Sequence, residues 1–306
     1  MKVFSIFCVV FCAASTLQGC AAVSISRVSS AGLKAIQAMT VSDEQIQQYT
    51  REFIEKSDKE NSLAAADDPY SVRLNKITSS FNNNNGLNIK VYKKDEVNAF
   101  ATADGSIRVY SGLMDIMTDE EILGVIGHEI GHVMNKDTRD AFKNALLVSA
   151  LRDGISSTAG KVGKLTSSQL GDLGEAFFQS QYSQKQEYAA DDYGYEFLKG
   201  CGLNPWTMSM ALDKLKQLEQ QAGRNGGGAI NQLFSTHPNI AARTGRLAER
   251  AAEEGFKKPG DGGELYITEA AAKAAEEQSK MDSGAPEAKD DAGKATPAEG
   301  NTDWSF

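Results

Sequence analysis

Apolar positions along the chain recur mostly at helical spacing. Ile46, Tyr49, Phe53 and Ile54 follow a capping-box pattern at Ser42 and Gln45, which predicts a first helix. After the break at Asp67-Asp68-Pro69, Tyr70, Leu74, Ile77 and Phe81 predict a second, ended by the Asn- and Gly-rich residues 82–86. The period then changes. Leu87, Ile89 and Val91 alternate with polar residues, and residues 98–101 and 107–110 flank the turn signal Asp104-Gly105. A small antiparallel sheet is therefore expected just before the most regular helix, over residues 118–138. There Thr118 and Glu121 form a capping box, and Ile122, Val125, Ile126, Ile130 and Val133 share helical spacing. Gly124, Gly127 and Gly131 cost helix propensity, which predicts close packing of another element. Helical pattern returns over residues 184–198, ending at Gly200-Cys201-Gly202 with Pro205 beyond. Met210, Leu212, Leu215 and Leu218 mark another packing helix. A glycine-rich break at 223–228 and Thr236-His237-Pro238 precede a last helix to about residue 254. The expected class is α+β, mainly helical, with a small antiparallel sheet beside the 118–138 helix.

Two stretches resist this reading. Residues 145–151 are apolar but far too short to cross a bilayer. Gly154 to Gly160-Lys161 is one residue too long for a phosphate loop, and Val162 stands where Ser or Thr would bind magnesium, so nucleotide binding is rejected. Beyond residue 255 the sequence is rich in Ala, Gly, Glu, Asp, Lys and Pro, and is expected to be disordered. The net charge of -9 is concentrated there: from Lys257 onward 6 Lys face 11 Asp and Glu. No basic footprint suits nucleic acid, and that class of partner is set aside.

At the other end, Lys2 and the short apolar run 3–14 read as a targeting segment. Leu17-Gln18-Gly19-Cys20 resembles a bacterial lipobox, which implies cleavage before Cys20, its lipidation, and membrane attachment. Ala21 after that Cys implies the outer membrane, with the protein facing the periplasm. The expected organisation is a lipoprotein signal peptide at 1–19, a lipid-anchored tether and helix at 20–66, a main domain at 67–255 and an acidic tail at 256–306. Cys8 and Cys12 leave with the signal and Cys20 is acylated, so Cys201 has no disulfide partner and reads as a packed residue near a helix end.

The chemistry concentrates in His128-Glu129-Ile130-Gly131-His132, an H-E-x-x-H pattern on a predicted helix. Residues four apart share a helical face, so both imidazoles can reach one metal ion with the Glu129 carboxylate beside them. A catalytic zinc needs three protein ligands and an open position. Asn135 and Thr138 stand where a metzincin would have Gly and His, which excludes that branch. The candidates for the third ligand are His237, the only other histidine, and a downstream acid. Glu187 and Asp191 lie four apart with Ala189 and Ala190 between them, small enough for this helix to pack closely on the first. One carboxylate could bind metal while the other accepts the N–H of a ligating His, the two-His-one-Glu arrangement of gluzincins.

Taken in order, the lipobox, NAFA, GSIRVYSGLMD, the HEIGH helix, QEYAADDYGYEFL and STHPNIAAR resemble the Ste-type and HtpX-like zinc metallopeptidases over roughly residues 67–254. The resemblance implies a zincin-type domain binding one zinc ion through His128, His132 and Glu187, with Glu129 as the catalytic acid/base. It also implies that Asp191 and Arg243 lie behind the ligands and that His237 is near the cleft, where it could hydrogen-bond the developing oxyanion. The expected activity is endopeptidase action on unfolded or misassembled envelope proteins. The sheet edge at Asn98, Ala99 and Phe100 could pair with an extended substrate, or the hairpin could be purely structural. A non-catalytic chaperone or assembly lipoprotein keeping the same fold is the alternative, and Glu129 argues against it, since a structural zinc has no use for that carboxylate.

Overall fold

The computed structural model describes residues 41–82, 86–153, 165–225 and 231–260. The signal peptide, Cys20 and the tether up to residue 40, the 154–162 stretch, residues 226–228 of the glycine-rich break and the tail beyond residue 260 lie outside the described residues. In chain order the elements are α1 (Asp43–Glu60), α2 (Pro69–Asn82), β1 (Asn88–Tyr92), β2 (Ala99–Ala101), β3 (Ser106–Tyr110), α3 (Ser111–Ile116) and α4 (Asp119–Met134). They continue with α5 (Asp137–Asp153), α6 (Ser167–Phe178), α7 (Gln184–Gly200), α8 (Trp206–Asn225), α9 (Asn231–Thr236) and α10 (Ile240–Glu253). No helix among the described residues is long and apolar enough to cross a membrane.

Helix starts follow local chemistry. The Thr118 side chain accepts from the Glu121 N–H at 3.2 Å, and the Glu121 carboxylate accepts from the Thr118 N–H at 2.8 Å. The same reciprocal pairing opens α1 at Ser42 and Gln45, α6 at Thr166 and Gln169, and α7 at Ser183 and Gln186. At α2, Pro69 takes the first position and Asp68 accepts from the Tyr70 N–H.

The chain divides into two compact units, one of residues Met1–Lys59 and Thr138–Ser180, the other of Glu60–Asp137 and Gln181–Phe306. In the first, Phe53 of α1 meets the rings of Phe142, Phe177 and Phe178 at centroid distances of 5.9, 6.2 and 5.9 Å. Ile46, Ile54, Ala145, Leu146, Leu170 and Leu173 are buried in the same unit.

The second unit holds the sheet, in the order β1-β3-β2. Strand β2 runs antiparallel to β3 (Ala99↔Val109, Phe100↔Arg108, Ala101↔Ile107), as the Asp104-Gly105 turn predicts, with Gly105 at φ +83°. Strand β1 is parallel to β3, pairing Asn88↔Ser106 through Tyr92↔Tyr110, so the sheet is mixed and not wholly antiparallel. The physical reason is that alternation reports which residues share a face and carries no strand direction. After β1 the chain is held at the end of β3, where Lys94 O accepts from the Gly112 N–H at 2.8 Å, and it enters β2 from the far side. One core joins Val91, Ala99, Ala101, Ile107 and Val109 of the sheet to Ile122, Ile126 and Ile130 of α4, and to Leu198, Met208, Leu212 and Leu247.

The other face of α4 carries the glycines, and α7 packs directly on it. A Cβ on Gly127 would meet a Phe197 ring carbon at 2.7 Å; one on Gly131 would meet Tyr193 Cβ at 2.9 Å and Ala190 Cα at 3.0 Å. From the opposite side, a Cβ on Gly194 would lie 3.0 Å from the His128 backbone nitrogen. Close approach of the two backbones is what these helices trade propensity for. The small residues of α7 at the contact are Ala190 and Gly194. Ala189, expected there, is exposed.

Candidate metal centre

The tight α4–α7 pair brings two residues from each helix to one point. His128 and His132 lie one turn apart on α4, and Glu187 and Asp191 one turn apart on α7. His237 arrives from the link between α9 and α10, its N–H bonded to Leu233 O at 2.9 Å. Asn239, in the left-handed region at φ +63°, then turns the chain into α10, which carries Arg243.

His128, His132, Glu187 and His237 are all buried, and one ligand atom from each lies within 4.8 Å of the others, so these four side chains could hold a metal ion. His128 Nε2 is 3.1 Å from His132 Nε2, and His132 Nε2 is 3.4 Å from Glu187 Oε1. His237 Nδ1 is 3.0 Å from Glu187 Oε1 and 3.4 Å from His128 Nε2. Four donors about 2.0–2.1 Å from a common centre in a tetrahedron would stand roughly 3.3–3.4 Å apart. The donor set fits that geometry and chemistry.

The groups behind these donors orient them. His128 Nδ1 faces Asp191 Oδ1 at 3.0 Å, and His132 Nδ1 faces Asp137 Oδ2 at 3.0 Å. A carboxylate on each Nδ1 fixes the tautomer and turns the Nε2 lone pair toward the centre. Asp191 is gripped by Arg243, Nε to Oδ2 at 2.9 Å and Nη2 to Oδ1 at 2.7 Å, while Arg243 Nη1 pairs with Glu187 Oε2. Asp137 in turn accepts from Gln186 Nε2 at 2.9 Å.

The electrostatics follow from these pairings. Burial alone would raise the Glu187 carboxyl, but the three histidines around it hold it well below the usual carboxylate range. Asp191, also buried, is held low by Arg243. Burial keeps His128 below the ordinary imidazole value, against the pull of Asp191. At His132 the same burial is outweighed by Asp137 and Glu187, and its pKa rises to about 9. Glu129, 2% exposed, points its carboxylate toward His237, with Oε1 3.7 Å from Nε2.

The structure thus brings together His128, Glu129, His132, Glu187, Asp191, His237 and Arg243. Asn98, Ala99 and Phe100 are buried at and just before strand β2, which packs against α4. The Tyr110 N–H bonds Asn98 O and the Thr102 N–H bonds Ser106 O, so Phe100 also pairs with β3. Of the three, Ala99 alone turns its backbone groups to the outer edge, and Ala101 joins it. Cys201 is packed near the end of α7, where burial pushes its thiol up to about 11.

Three residues at the centre escaped the sequence reading. Asp137 and Gln186 support His132, and Tyr182 stacks on it with ring centroids 3.9 Å apart. Asp137 reaches back because Lys136 adopts φ +62°, a turn that a lysine does not advertise. The one available signal was Gln186, which completes a capping box with Ser183 immediately after Tyr182.

Comparison with known proteins agrees with this geometry. Residues 73–251 match the model of peptidase family M48. The chain is 40% identical over 247 residues to Metalloprotease LoiP of Escherichia coli (strain K12), covering 80% of this chain and 95% of that protein. It is 35% identical over 258 residues to Metalloprotease YcaL of the same organism, covering 82% of this chain and 99% of the relative. The buried donor set lies inside the matched span, and the chain belongs to peptidase family M48 as a metalloprotease.

Proposed function

We propose that the chain is a zinc-dependent endopeptidase acting on unfolded or misassembled cell-envelope proteins. The observation that carries the chemistry is the convergence of His128 Nε2, His132 Nε2 and Glu187 Oε1 beside the Glu129 carboxylate. His128, His132 and Glu187 are the ligands, and Asp191, Asp137 and Arg243 hold them in place. When bound, zinc would supply Lewis acidity and lower the pKa of water from about 15.7 to about 7.

Glu129 takes the proton of the attacking water and returns it to the departing amine. His237 stands at the fourth corner of the donor set, with its Nε2 on the side of Glu129. From there it can donate to the negative charge developing on the attacked carbonyl oxygen. Ala99 and Ala101 supply the backbone N–H and C=O groups of an edge that pairs with an extended substrate without reading its side chains. Both alanines are buried, so that edge has to open before a peptide can pair. Such pairing suits unfolded chains. The lipobox-like sequence ending at Cys20 supports an outer-membrane anchor facing the periplasm, where those chains would be envelope proteins.

A non-catalytic chaperone is the second reading, favoured by the fact that His237 completes four donors, the number of a closed structural site. The two readings separate on Glu129→Gln. Zinc-loaded protein should cut a reduced, alkylated test protein, and the variant should lose about 10²–10⁴-fold in kcat while keeping one zinc per chain. Equal cutting by both would overturn the mechanism. No cutting by either, with zinc retained in both, would favour the chaperone.

A further inference from the structure

The stretch 181–186 touches the metal centre at more than one point. The Tyr182 ring lies flat on His132, with centroids 3.9 Å apart and planes at 15°, and is tilted against His237 at 5.3 Å. The Tyr182 N–H donates to Thr236 O at 3.1 Å, and Gln181 Nε2 donates to Ser235 O at 3.1 Å, so this stretch is tied to the residues just before His237. Four residues on, Gln186 supports Asp137, which faces His132 Nδ1. Among the described residues no ring lies flat on His128: its planes with His132 and His237 stand at 88° and 63°.

We infer that Tyr182 is a positioning residue for the peptidase reaction, its ring fixing the plane of the His132 imidazole and so the direction in which Nε2 presents its lone pair. The inference rests on the proposed role of His132 as a ligand. The division of labour is geometric. Asp137 fixes where Nδ1 lies, and a single hydrogen bond leaves the ring free to rock about it. A flat stack removes that rocking, and its strength comes from the ring, not the hydroxyl. The Tyr182 N–H on Thr236 and the Gln181 side chain on Ser235 also keep the His237 segment in register with His132.

The test uses the full chain carrying Tyr182→Phe or Tyr182→Leu, with His132→Ala as reference. Two readouts apply: zinc affinity by chelator competition, and the visible spectrum of the cobalt-substituted protein. Tyr182→Phe should match the unsubstituted chain within about twofold in zinc affinity and keep its cobalt bands. Tyr182→Leu should bind zinc roughly tenfold more weakly and change those bands, as loss of a ligand's orienting partner does. At saturating zinc the Leu variant should lose kcat with little change in KM. If Leu leaves affinity and spectrum unchanged, or if Phe falls as far as Leu, the inference is overturned. If His132→Ala keeps full zinc affinity, the ligand assignment itself has failed and the inference goes with it. Should Tyr182→Leu fail to fold, Tyr182→Met, which also removes the ring, is read in the same way.

Discussion

Two regions of this protein bury their side chains in opposite ways. Around Phe53, helices α1, α5 and α6 contribute rings and aliphatic groups, with Phe142, Phe177 and Phe178 tilted or edge-on against it. At the α4–α7 contact the buried groups include glycines, the carboxylates of Glu129, Glu187 and Asp191, and two histidines, with Arg243 of α10 beside them, and Glu187, Asp191 and His132 are each 0% exposed. Apolar burial is non-directional and tolerates rearrangement. Buried charge does not: each group must keep a partner, and the set as a whole is a weak source of stability. What the second region gains is a group of donors already aimed at one point. The first region holds its helices together, and the second holds a site.

The sharpest way to break that contrast is to separate stability from metal binding. Arg243→Met leaves Asp191 and Glu187 buried without their guanidinium, and should destabilise the metal-free protein by about 3–5 kcal/mol. Replacing the pair together, as Asp191→Leu with Arg243→Met, should restore part of that loss, because no carboxylate is left stranded at position 191 while Glu187 keeps only its histidine partners. Zinc affinity should stay about 10–100-fold down in the double variant, since His128 no longer has an acceptor on Nδ1. Urea unfolding and chelator competition on the same samples check this. Recovery of both properties together would mean that the ion pair serves only the fold.

Glycines give a second, smaller comparison. Gly131→Ala places a Cβ 2.9 Å from Tyr193 Cβ and 3.0 Å from Ala190 Cα, atoms fixed to the α7 backbone. The helices must part, costing about 1–3 kcal/mol and weakening zinc binding as the His132–Glu187 spacing opens. Gly174→Ala in the aromatic region meets the Phe53 ring at 2.5 Å, so the rings around Phe53 must shift. The gain of about 1 kcal/mol in helix propensity is common to both variants, so the metal site is what separates them: in Gly174→Ala zinc affinity should not change. Equal losses of affinity in the two variants would dissolve the distinction.

How much of this was legible follows the same division. Helix α4 declared itself through its capping box, its apolar stripe and H-E-x-x-H, and its glycines foretold a close neighbour. Glu187 and Asp191 could be picked out because helical spacing puts them on one face. Strand direction could not be read, so the parallel β1–β3 pair was missed. Helix α5 was illegible because its polar and apolar positions do not form a clean stripe: Phe142, Ala145 and Leu146 are buried while Val148 is 41% exposed. Asp137 depends on a lysine at positive φ, and the Tyr182–His132 stack on a meeting of residues 50 positions apart that no local pattern encodes.

The last contrast is one of pH. Nothing in the ring cluster around Phe53 titrates, whereas His132 does. In the metal-free protein its pKa is raised from 6.5 to about 9 by Asp137 and Glu187, against burial. A folded-state value above the unfolded one means that its contribution to stability is complete below about pH 6.5 and is lost as pH rises through about 9. The melting temperature of the metal-free protein should therefore fall across that window. In the proposed role of His132 a metal needs the Nε2 lone pair, so zinc would have to displace the proton that His132 carries at pH 7. Glu187 is already ionised there, and burial keeps His128 neutral, so neither adds a second proton. Zinc binding should release about one proton per chain near pH 7, and apparent affinity should rise about tenfold per pH unit until it levels near pH 9. Calorimetry in buffers of different ionisation enthalpy counts that proton. In Asp137→Asn the levelling should move to lower pH, since the largest pull on the His132 proton is gone. If it stays near 9, the raised value comes from Glu187 alone, and Asp137 only steers the ring.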